Sequence, residues 1–228
     1  MEISLFTSNS MRGVLDTLFP EFERTTGNTV RVSFDPAQIM LKRIAAGETA
    51  DVAILGRVLL DELAQQGKIV PGSQRTLARC RVGVGVLAGH PKPDVSSLEA
   101  FKRALLEAKS VAFTVSGASG IHFSKVIETL GIADAIHAKE VRQPGGLVGD
   151  LLVAGKAELA IQQIPELLAV PGVELVGPLP QEVQATSTSG VGIFASSERK
   201  QAAQALVDLL TSPAATRVFR EKGHEPVN

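Results

Sequence analysis

The sequence contains no tryptophan or tyrosine, and Cys80 is its single cysteine. A single cysteine excludes both an intramolecular disulfide and a cysteine-based metal cluster. Cys80 lies in an apolar run of the sequence, which predicts a buried, unreactive thiol. Sites for sugars and for single-stranded nucleic acids commonly stack the ligand on tyrosine or tryptophan rings, so the sequence disfavours both ligands.

An excess of charge of one sign is also missing. The 23 Lys and Arg residues nearly balance the 24 Asp and Glu residues, for a net charge of −1. This balance argues against nucleic acid as a partner. The apolar runs, such as residues 82–88, are strand-sized and too short to cross a bilayer. The four histidines lack metal-site spacing and no standard catalytic motif is present, so we expect no metal and no cofactor.

The first residues carry no export signal, because Met1 is followed at once by a strand-like run over residues 2–6. A signal peptide would begin with a charged segment and a long apolar stretch. We therefore expect either a processed chain to which Met1 was added or, if Met1 is the native start, a cytoplasmic protein.

Short apolar strands alternate with amphipathic helices along the chain, which predicts an α/β fold. The helix predicted over residues 9–25 contains Pro20, which should perturb it. A later helix is predicted to carry one apolar face, formed by Ile39, Met40, Ile44 and Ala45.

The middle of the sequence forms a pattern of its own, which predicts one lobe inserted into another. We place lobe 1 at residues 1–80 plus 191–228 and lobe 2 at residues 81–190. The two crossings near residues 79–82 and 188–192 would form a hinge that closes around a ligand.

Three predicted strand-to-helix junctions are rich in small polar residues and glycine: residues 7–11, 116–120 and 143–146. Backbone N–H groups at a helix start, together with the helix dipole, attract anions, and glycine allows a close approach. Ordinary caps and turns have the same composition. Three such loops, divided between the two predicted lobes, nevertheless favour an anion site in the cleft between the lobes.

The order of the motifs resembles the molybdate-binding branch of the periplasmic solute-binding proteins. The resemblance begins with Phe6-Thr7-Ser8-Asn9-Ser10-Met11, continues with Val32-Ser33-Phe34-Asp35-Pro36-Ala37 and Ala46-Gly47-Glu48-Thr49-Ala50-Asp51-Val52, and extends to the closing Ser212-Pro213-Ala214-Ala215. It covers essentially the whole chain. It implies a two-lobed type II periplasmic-binding-protein fold, in which helices flank a mixed, mostly parallel sheet in each lobe. It also implies a periplasmic monomer that delivers a small anion to the permease of an ABC transporter.

Carried over residue by residue, the resemblance places a hydroxyl ligand at Ser10 and backbone donors at Ser119, Gly120 and Gly145. The chain departs from the family at two positions: Pro36-Ala37-Gln38 replaces a second serine, and Gln163 stands where a tyrosine is expected. The predicted ligand-binding residues are Asn9, Ser10, Ala37, Gln38, Arg57, Ser116, Ser119, Gly120, Gln143, Gly145, Gly146 and Gln163.

Three other side chains could replace the missing hydroxyl donors: Arg57, Arg142 and His122. Because an arginine fork matches a carboxylate in two hydrogen bonds, we hypothesise an organic carboxylate ligand rather than molybdate. The alternative function is an aconitate-isomerase-like enzyme on the same scaffold, with His122 as the base. An effector domain of a transcriptional regulator is disfavoured, because the chain begins directly on a strand.

Overall fold

The computed structural model describes residues 1–227 and confirms the predicted alternation of strands and helices. The strands are β1 (Glu2–Thr7), β2 (Thr29–Phe34), β3 (Val52–Gly56), β4 (Arg75–Leu87), β5 (Val111–Thr114), β6 (Glu140–Gln143), β7 (Leu159–Gln163), β8 (Val173–Pro178), β9 (Thr186–Ile193) and β10 (Glu225–Pro226). The α-helices are α1 (Arg12–Thr26), α2 (Ala37–Ala45), α3 (Arg57–Gln65), α4 (Leu98–Glu107), α5 (Ala118–Thr129), α6 (Ala133–His137), α7 (Gly149–Val153), α8 (Ile164–Leu168), α9 (Lys200–Leu210) and α10 (Pro213–Glu221). Short 3-10 turns cover Asn9–Met11 and Gln181–Val183.

The chain forms two compact units. Among the described residues, unit 1 comprises residues 1–79 and 187–227, and unit 2 comprises residues 80–186. The chain leaves unit 1 within β4 and returns to it at the start of β9. The hinge motion predicted for these two crossings stays a prediction.

Unit 1 is built on a sheet in which β1 pairs in parallel with both β2 and β3. On its other side, β3 pairs antiparallel with β9. Thr7 at the end of β1 lies beside Phe34 at the end of β2. The carboxyl ends of the three parallel strands therefore meet at one edge of the sheet, where the following turns and helices begin.

Unit 2 repeats this plan with different strands. β5 pairs in parallel with β6 and β7, and β7 pairs antiparallel with β4. Thr114 at the end of β5 lies beside Gln143 at the end of β6. The loops after β5, β6 and β7 therefore share one edge.

Apolar clusters pack within each unit, and they explain why several strands are continuous apolar runs. Val52 and Ile54 of β3 belong to one cluster of unit 1, whereas Ala53 and Leu55 belong to another. Since neighbouring residues of a strand point to opposite faces, helices must cover both faces of this sheet. The same holds in unit 2, where Val111 and Ala112 of β5 belong to different clusters.

Local predictions for two helices were wrong. In α2 only Met40 and Ile44 are buried, whereas Ile39 is 41% exposed, because this helix buries a single narrow i, i+4 stripe. The helix predicted from residue 9 starts instead with a 3-10 turn, and α1 runs through Pro20 without a break.

Within residues 1–227, no helix combines the length and the apolar character that a membrane crossing requires.

Candidate anion-binding site

The sheet edge of unit 1 brings together the predicted ligand residues of its three loops. Asn9 and Ser10 follow β1, Ala37 and Gln38 follow β2, and Arg57 follows β3. The backbone N–H groups of Asn9, Ser10, Ala37 and Gln38 form no hydrogen bond with any described residue. Such N–H groups at helix starts favour an anionic partner.

Hydroxyl groups surround the first of these loops. The Ser8 and Ser10 hydroxyls hydrogen-bond to each other at 2.8 Å. The side chain of Thr7 is fully buried, and its Oγ1 has no partner among residues 1–227. A buried hydroxyl without a partner is unfavourable, so the end of β1 retains unused hydrogen-bonding capacity.

The side chain of His224 stabilises the loop after β1. Its Nε2–H donates to the carbonyl oxygen of Ser10 at 3.0 Å, and its ring meets Phe219 edge-on at 5.2 Å. Burial lowers the pKa of His224 to about 4, although the hydrogen bond to Ser10 opposes this shift. The imidazole is therefore neutral at pH 7 and supports the Ser10 backbone without adding charge.

The loop after β2 carries an acidic residue, Asp35, which shares its arginine partner with a second carboxylate. Arg43 of α2 forms an ion pair with the Asp35 carboxylate and a second one with Glu48. The guanidinium of Arg43 also lies 4.7 Å from the centre of the Phe6 ring. Because one guanidinium serves two carboxylates, this cluster keeps one net negative charge, and the ion pair weakens the field of Asp35 at the neighbouring N–H groups without cancelling it.

Arg57, the predicted clamp of unit 1, is already engaged. Its Nε–H donates to both carboxylate oxygens of Asp61 at 3.0 and 3.1 Å, and its Nη1–H donates to the Thr76 hydroxyl at 3.0 Å. A ligand that uses Arg57 would have to share the guanidinium with Asp61.

The sheet edge of unit 2 brings together the second predicted group of donors. Two hydrogen bonds join the loops after β5 and β6. The Ser116 hydroxyl donates to the carbonyl oxygen of Pro144, and the Val115 N–H donates to the backbone carbonyl oxygen of Gln143 at 2.9 Å. Two sets of backbone N–H groups at this edge have no hydrogen-bond acceptor among residues 1–227. They belong to the first residues of α5, Ala118, Ser119 and Gly120, and to the turn formed by Gly145 and Gly146.

Gly120 is required by packing as well as by its place in the loop. A Cβ atom at this position would lie 1.8 Å from the carbonyl oxygen of Thr114. The first turn of α5 therefore presses directly on the end of β5. Thr114 is buried, and its Oγ1 has no partner within residues 1–227, as is also true of Thr7 in unit 1.

The buried amide of Gln162 shapes the Gly-Gly turn. Its Nε2 donates to the Gly146 carbonyl oxygen at 2.8 Å, and its Oε1 accepts from the Val148 N–H at 2.9 Å. Gly146 has a φ of +88°, which a residue with a side chain adopts only with strain. These contacts hold the turn that exposes the Gly145 N–H.

Gln163 follows at the end of β7. Its Oε1 accepts a hydrogen bond from the Cys80 thiol at 3.3 Å, and the thiol is buried, as predicted. Burial raises the pKa of the Glu166 carboxyl in α8 to about 8, although a hydrogen bond from the Gln163 backbone lowers it in part. The raised pKa means that Glu166 repels an anion at this edge less than an ordinary carboxylate would.

The remaining two predicted candidates lie in unit 2. His122 donates from Nε2 to the carbonyl oxygen of Val183 at 2.8 Å, which leaves Nδ1 as its basic nitrogen. Arg142 forms an ion pair with Glu140 at 2.8 Å, and its guanidinium lies 5.2 Å from the centre of the Phe113 ring. The charge of Arg142 is thus paired within the chain.

Sequence reasoning missed Arg12, the first residue of α1. Its guanidinium lies 4.1 Å from the centre of the Phe34 ring, at the sheet edge of unit 1. The signal was available, because a cation at a helix N-terminus opposes the helix dipole and so requires a compensating partner. Among residues 1–227, no group of three or more His, Cys, Asp or Glu side chains could hold a metal ion.

Two α/β units, each with helix starts at one edge of its own sheet, define the class of two-domain solute-binding proteins. The chain belongs to the family of bacterial extracellular solute-binding proteins, whose sequence model matches residues 3–225.

Individual relatives agree with this assignment. The chain is 31% identical to an aconitate isomerase from Pseudomonas sp., over 99% of this chain and 88% of that protein. It is 27% identical to the molybdate-binding protein ModA of Azotobacter vinelandii, over 98% of this chain and 89% of that one. The solved periplasmic molybdate-binding protein of the same organism has a TM-score of 0.81 at 19% identity and covers 99% of this chain and 100% of its own. The resemblance to the molybdate-binding branch and the type II fold are both confirmed.

Proposed function

We propose that this solute-binding protein binds a small organic carboxylate through N–H and hydroxyl donors of both units. One observation carries the proposal: each unit gathers helix-start N–H groups at one sheet edge, beside a buried threonine hydroxyl, and neither has a hydrogen-bond partner among residues 1–227. These threonines are Thr7 in unit 1 and Thr114 in unit 2. Neutral donors of this kind bind an anion without the cost of burying an opposing charge.

Local electrostatics support an anionic ligand. Two acidic residues that follow edge strands repel an anion less than free carboxylates would, since Asp35 is paired with Arg43, which it shares with Glu48, and the pKa of Glu166 is raised to about 8. The repulsion that a bound anion meets from these two residues is therefore reduced.

Two departures from the molybdate-binding branch favour a carboxylate over a metal oxyanion. Ala37 and Gln38 occupy the place of a hydroxyl donor, and Gln163 that of a tyrosine. In addition, a relative of 31% identity along nearly the whole chain is an aconitate isomerase, and aconitate is a tricarboxylate.

Transport is the role that the family suggests. In this proposal the protein works in the periplasm, and the crossings near residues 79–82 and 188–192 act as hinges. Ligand binding then favours a closed state, which the permease of an ABC transporter recognises.

Calorimetric titration of the purified protein tests the ligand class. We expect cis-aconitate, trans-aconitate or citrate to bind with a stoichiometry of one per chain, and molybdate and tungstate to bind at least about tenfold more weakly, the equivalent of one lost charge-assisted hydrogen bond. Tight molybdate binding without a response to any carboxylate would refute the proposal.

A second candidate function is isomerisation of an unsaturated tricarboxylate, and the geometry of His122 favours it. The Val183 carbonyl oxygen fixes Nε2 as a donor, so Nδ1 can accept a proton. A base of this kind would remove a proton from the CH2 group of aconitate, the double bond would migrate, and the proton would return to the former vinylic carbon. The reaction needs no metal, oxidant or other reactant.

Replacing His122 separates the two functions. If the protein is an isomerase, His122→Gln should slow conversion of trans- to cis-aconitate by about 100-fold or more, while the substrate affinity changes little. The exposed His90→Gln variant serves as the control and should retain full activity. Absence of conversion by the unaltered protein, in spite of tight aconitate binding, would leave binding and transport as the function.

A further inference from the structure

Arg12 is a charged residue with few polar partners among residues 1–227. Its Nη2 donates to the Asn9 side-chain oxygen at 3.4 Å, which is a long hydrogen bond. Its Nε is buried and has no hydrogen-bond acceptor within residues 1–227. No carboxylate of the described chain forms an ion pair with it.

Other arginines near these edges differ from Arg12 in this respect. Arg43 is paired with Asp35 and Glu48, Arg57 with Asp61 and Arg142 with Glu140. A guanidinium with a buried N–H normally satisfies it with an acceptor, because leaving it unpaired costs free energy. Arg12 therefore has the unused charge and the unused donor that an anionic ligand requires.

Phe34 fixes the direction of the Arg12 side chain. Phe34 ends β2 directly beside Thr7, and the guanidinium lies over its ring at 4.1 Å. Cation–π contact of this kind holds the planar fork at the sheet edge. The same edge carries the Ser8–Ser10 hydroxyl pair and the buried Thr7 hydroxyl, which has no partner within residues 1–227.

We infer that Arg12, held on Phe34, binds a carboxylate group of the ligand and makes unit 1 selective for carboxylates over tetrahedral metal oxyanions. The inference rests on the proposed carboxylate ligand. A guanidinium presents parallel N–H groups that match the two oxygens of a planar carboxylate, whereas a lysine offers only a point charge. Arg12 is thus a specificity-determining residue, and the Thr7 and Ser10 groups complete its half of the site.

Calorimetry on Arg12→Lys and Arg12→Gln tests the inference, with trans-aconitate, citrate and molybdate as probes. Both variants should bind the carboxylates roughly 10- to 100-fold more weakly, the loss expected for a charge-assisted hydrogen bond, while molybdate affinity changes by less than about threefold. Arg24→Gln is the matched control: it removes the same charge from an exposed position of the same helix and should leave carboxylate affinity unchanged.

A second measurement reports on the side chain itself. The Arg12 Nε–H resonance, assigned by its absence from the Arg12→Lys spectrum, should shift and exchange more slowly with solvent when trans-aconitate is added. This readout would not respond to a purely structural role of Arg12.

The outcomes separate the two proposals. Carboxylate binding that is tight in the unaltered protein and unchanged in Arg12→Gln overturns the inference and leaves the proposed function standing. A protein that binds no carboxylate at all overturns both. If Arg12→Gln and Arg24→Gln lose carboxylate affinity to the same extent, the loss comes from long-range electrostatic attraction. That result overturns the inference and leaves the proposed function standing.

Discussion

Gly120→Ala should destabilise unit 2 by about 3 kcal/mol or more, because the new methyl group overlaps backbone rather than a movable side chain. The added Cβ would lie 1.8 Å from the carbonyl oxygen of Thr114, far inside contact distance. Relief requires α5 to move away from the end of β5, which opens the buried contact between Phe113 and Phe123, whose ring centres lie 5.0 Å apart. Urea denaturation followed by circular dichroism measures the loss.

Gly13→Ala is the matched control for this substitution. Gly13 also lies near the start of a helix, but its Cβ would meet only the flexible Lys222 side chain, at 3.4 Å. Alanine has a higher helix propensity than glycine, so this variant should equal the unaltered protein or gain up to about 1 kcal/mol. Equal unfolding midpoints for the two variants would show that α5 does not pack on Thr114 as described.

Asp51→Asn should destabilise unit 1 by about 3 kcal/mol, since the carboxylate accepts several hydrogen bonds in a buried position. The Ser4 N–H and hydroxyl donate to Oδ2 at 2.8 and 2.9 Å, and the Ser197 hydroxyl donates to Oδ1 at 2.7 Å. An asparagine amide would turn an NH2 group toward one set of these donors, which leaves them unsatisfied. Thermal unfolding of the variant at pH 7 checks the size of the effect.

The effect of Asp51→Asn should depend on pH in a defined window. Burial acts to raise the pKa of Asp51, but the hydrogen bonds from Ser4 and Ser197 and the charge of Arg199 outweigh it and lower the pKa below its usual 3.8. A lowered pKa stabilises the folded state above the unfolded value, and this contribution disappears as the pH falls through the folded value. The difference between the unaltered protein and Asp51→Asn should therefore stay constant above about pH 4 and narrow below it.

His224 titrates in a separate window and does not obscure this comparison. Its pKa of about 4 lies below the ordinary 6.5, so both proteins lose the same stability as the pH falls from 6.5 toward 4. The exposed Asp16→Asn variant controls for the loss of one negative charge. Its free energy of unfolding should equal that of the unaltered protein at every pH. A gap between the Asp51 variant and the unaltered protein that persists unchanged at pH 2 would contradict the role given to the carboxylate.

The sequence was sufficient to locate the loops of the site, because a strand followed by small polar residues and a helix is a local pattern. The loops after β1, β5 and β6 were found in this way, and parallel pairing accounts for their shared edges. The short helix α8 was missed, although Pro165 near its start is a recognisable signal.

Side-chain partnerships could not be read in the same manner. Arg57 and Arg142 were chosen as anion clamps, yet both are paired with carboxylates of their own unit. Arg12 was overlooked although its position at a helix start was a visible signal, whereas the absence of a carboxylate partner among residues 1–227 could be learned only from the structure. Likewise, the packing role of Gly120 depends on the distance between α5 and β5, which no single segment of sequence specifies.

The most direct test of the proposed binding mode is a calorimetric titration of trans-aconitate into Ser10→Ala, Thr114→Val and the double variant. If hydroxyls of both units act on one ligand, each single variant should weaken the same one-to-one binding event by about tenfold, and the double variant should weaken it further. Full affinity in either single variant would contradict the claim, because the hydroxyl replaced in that unit would then not act on the ligand.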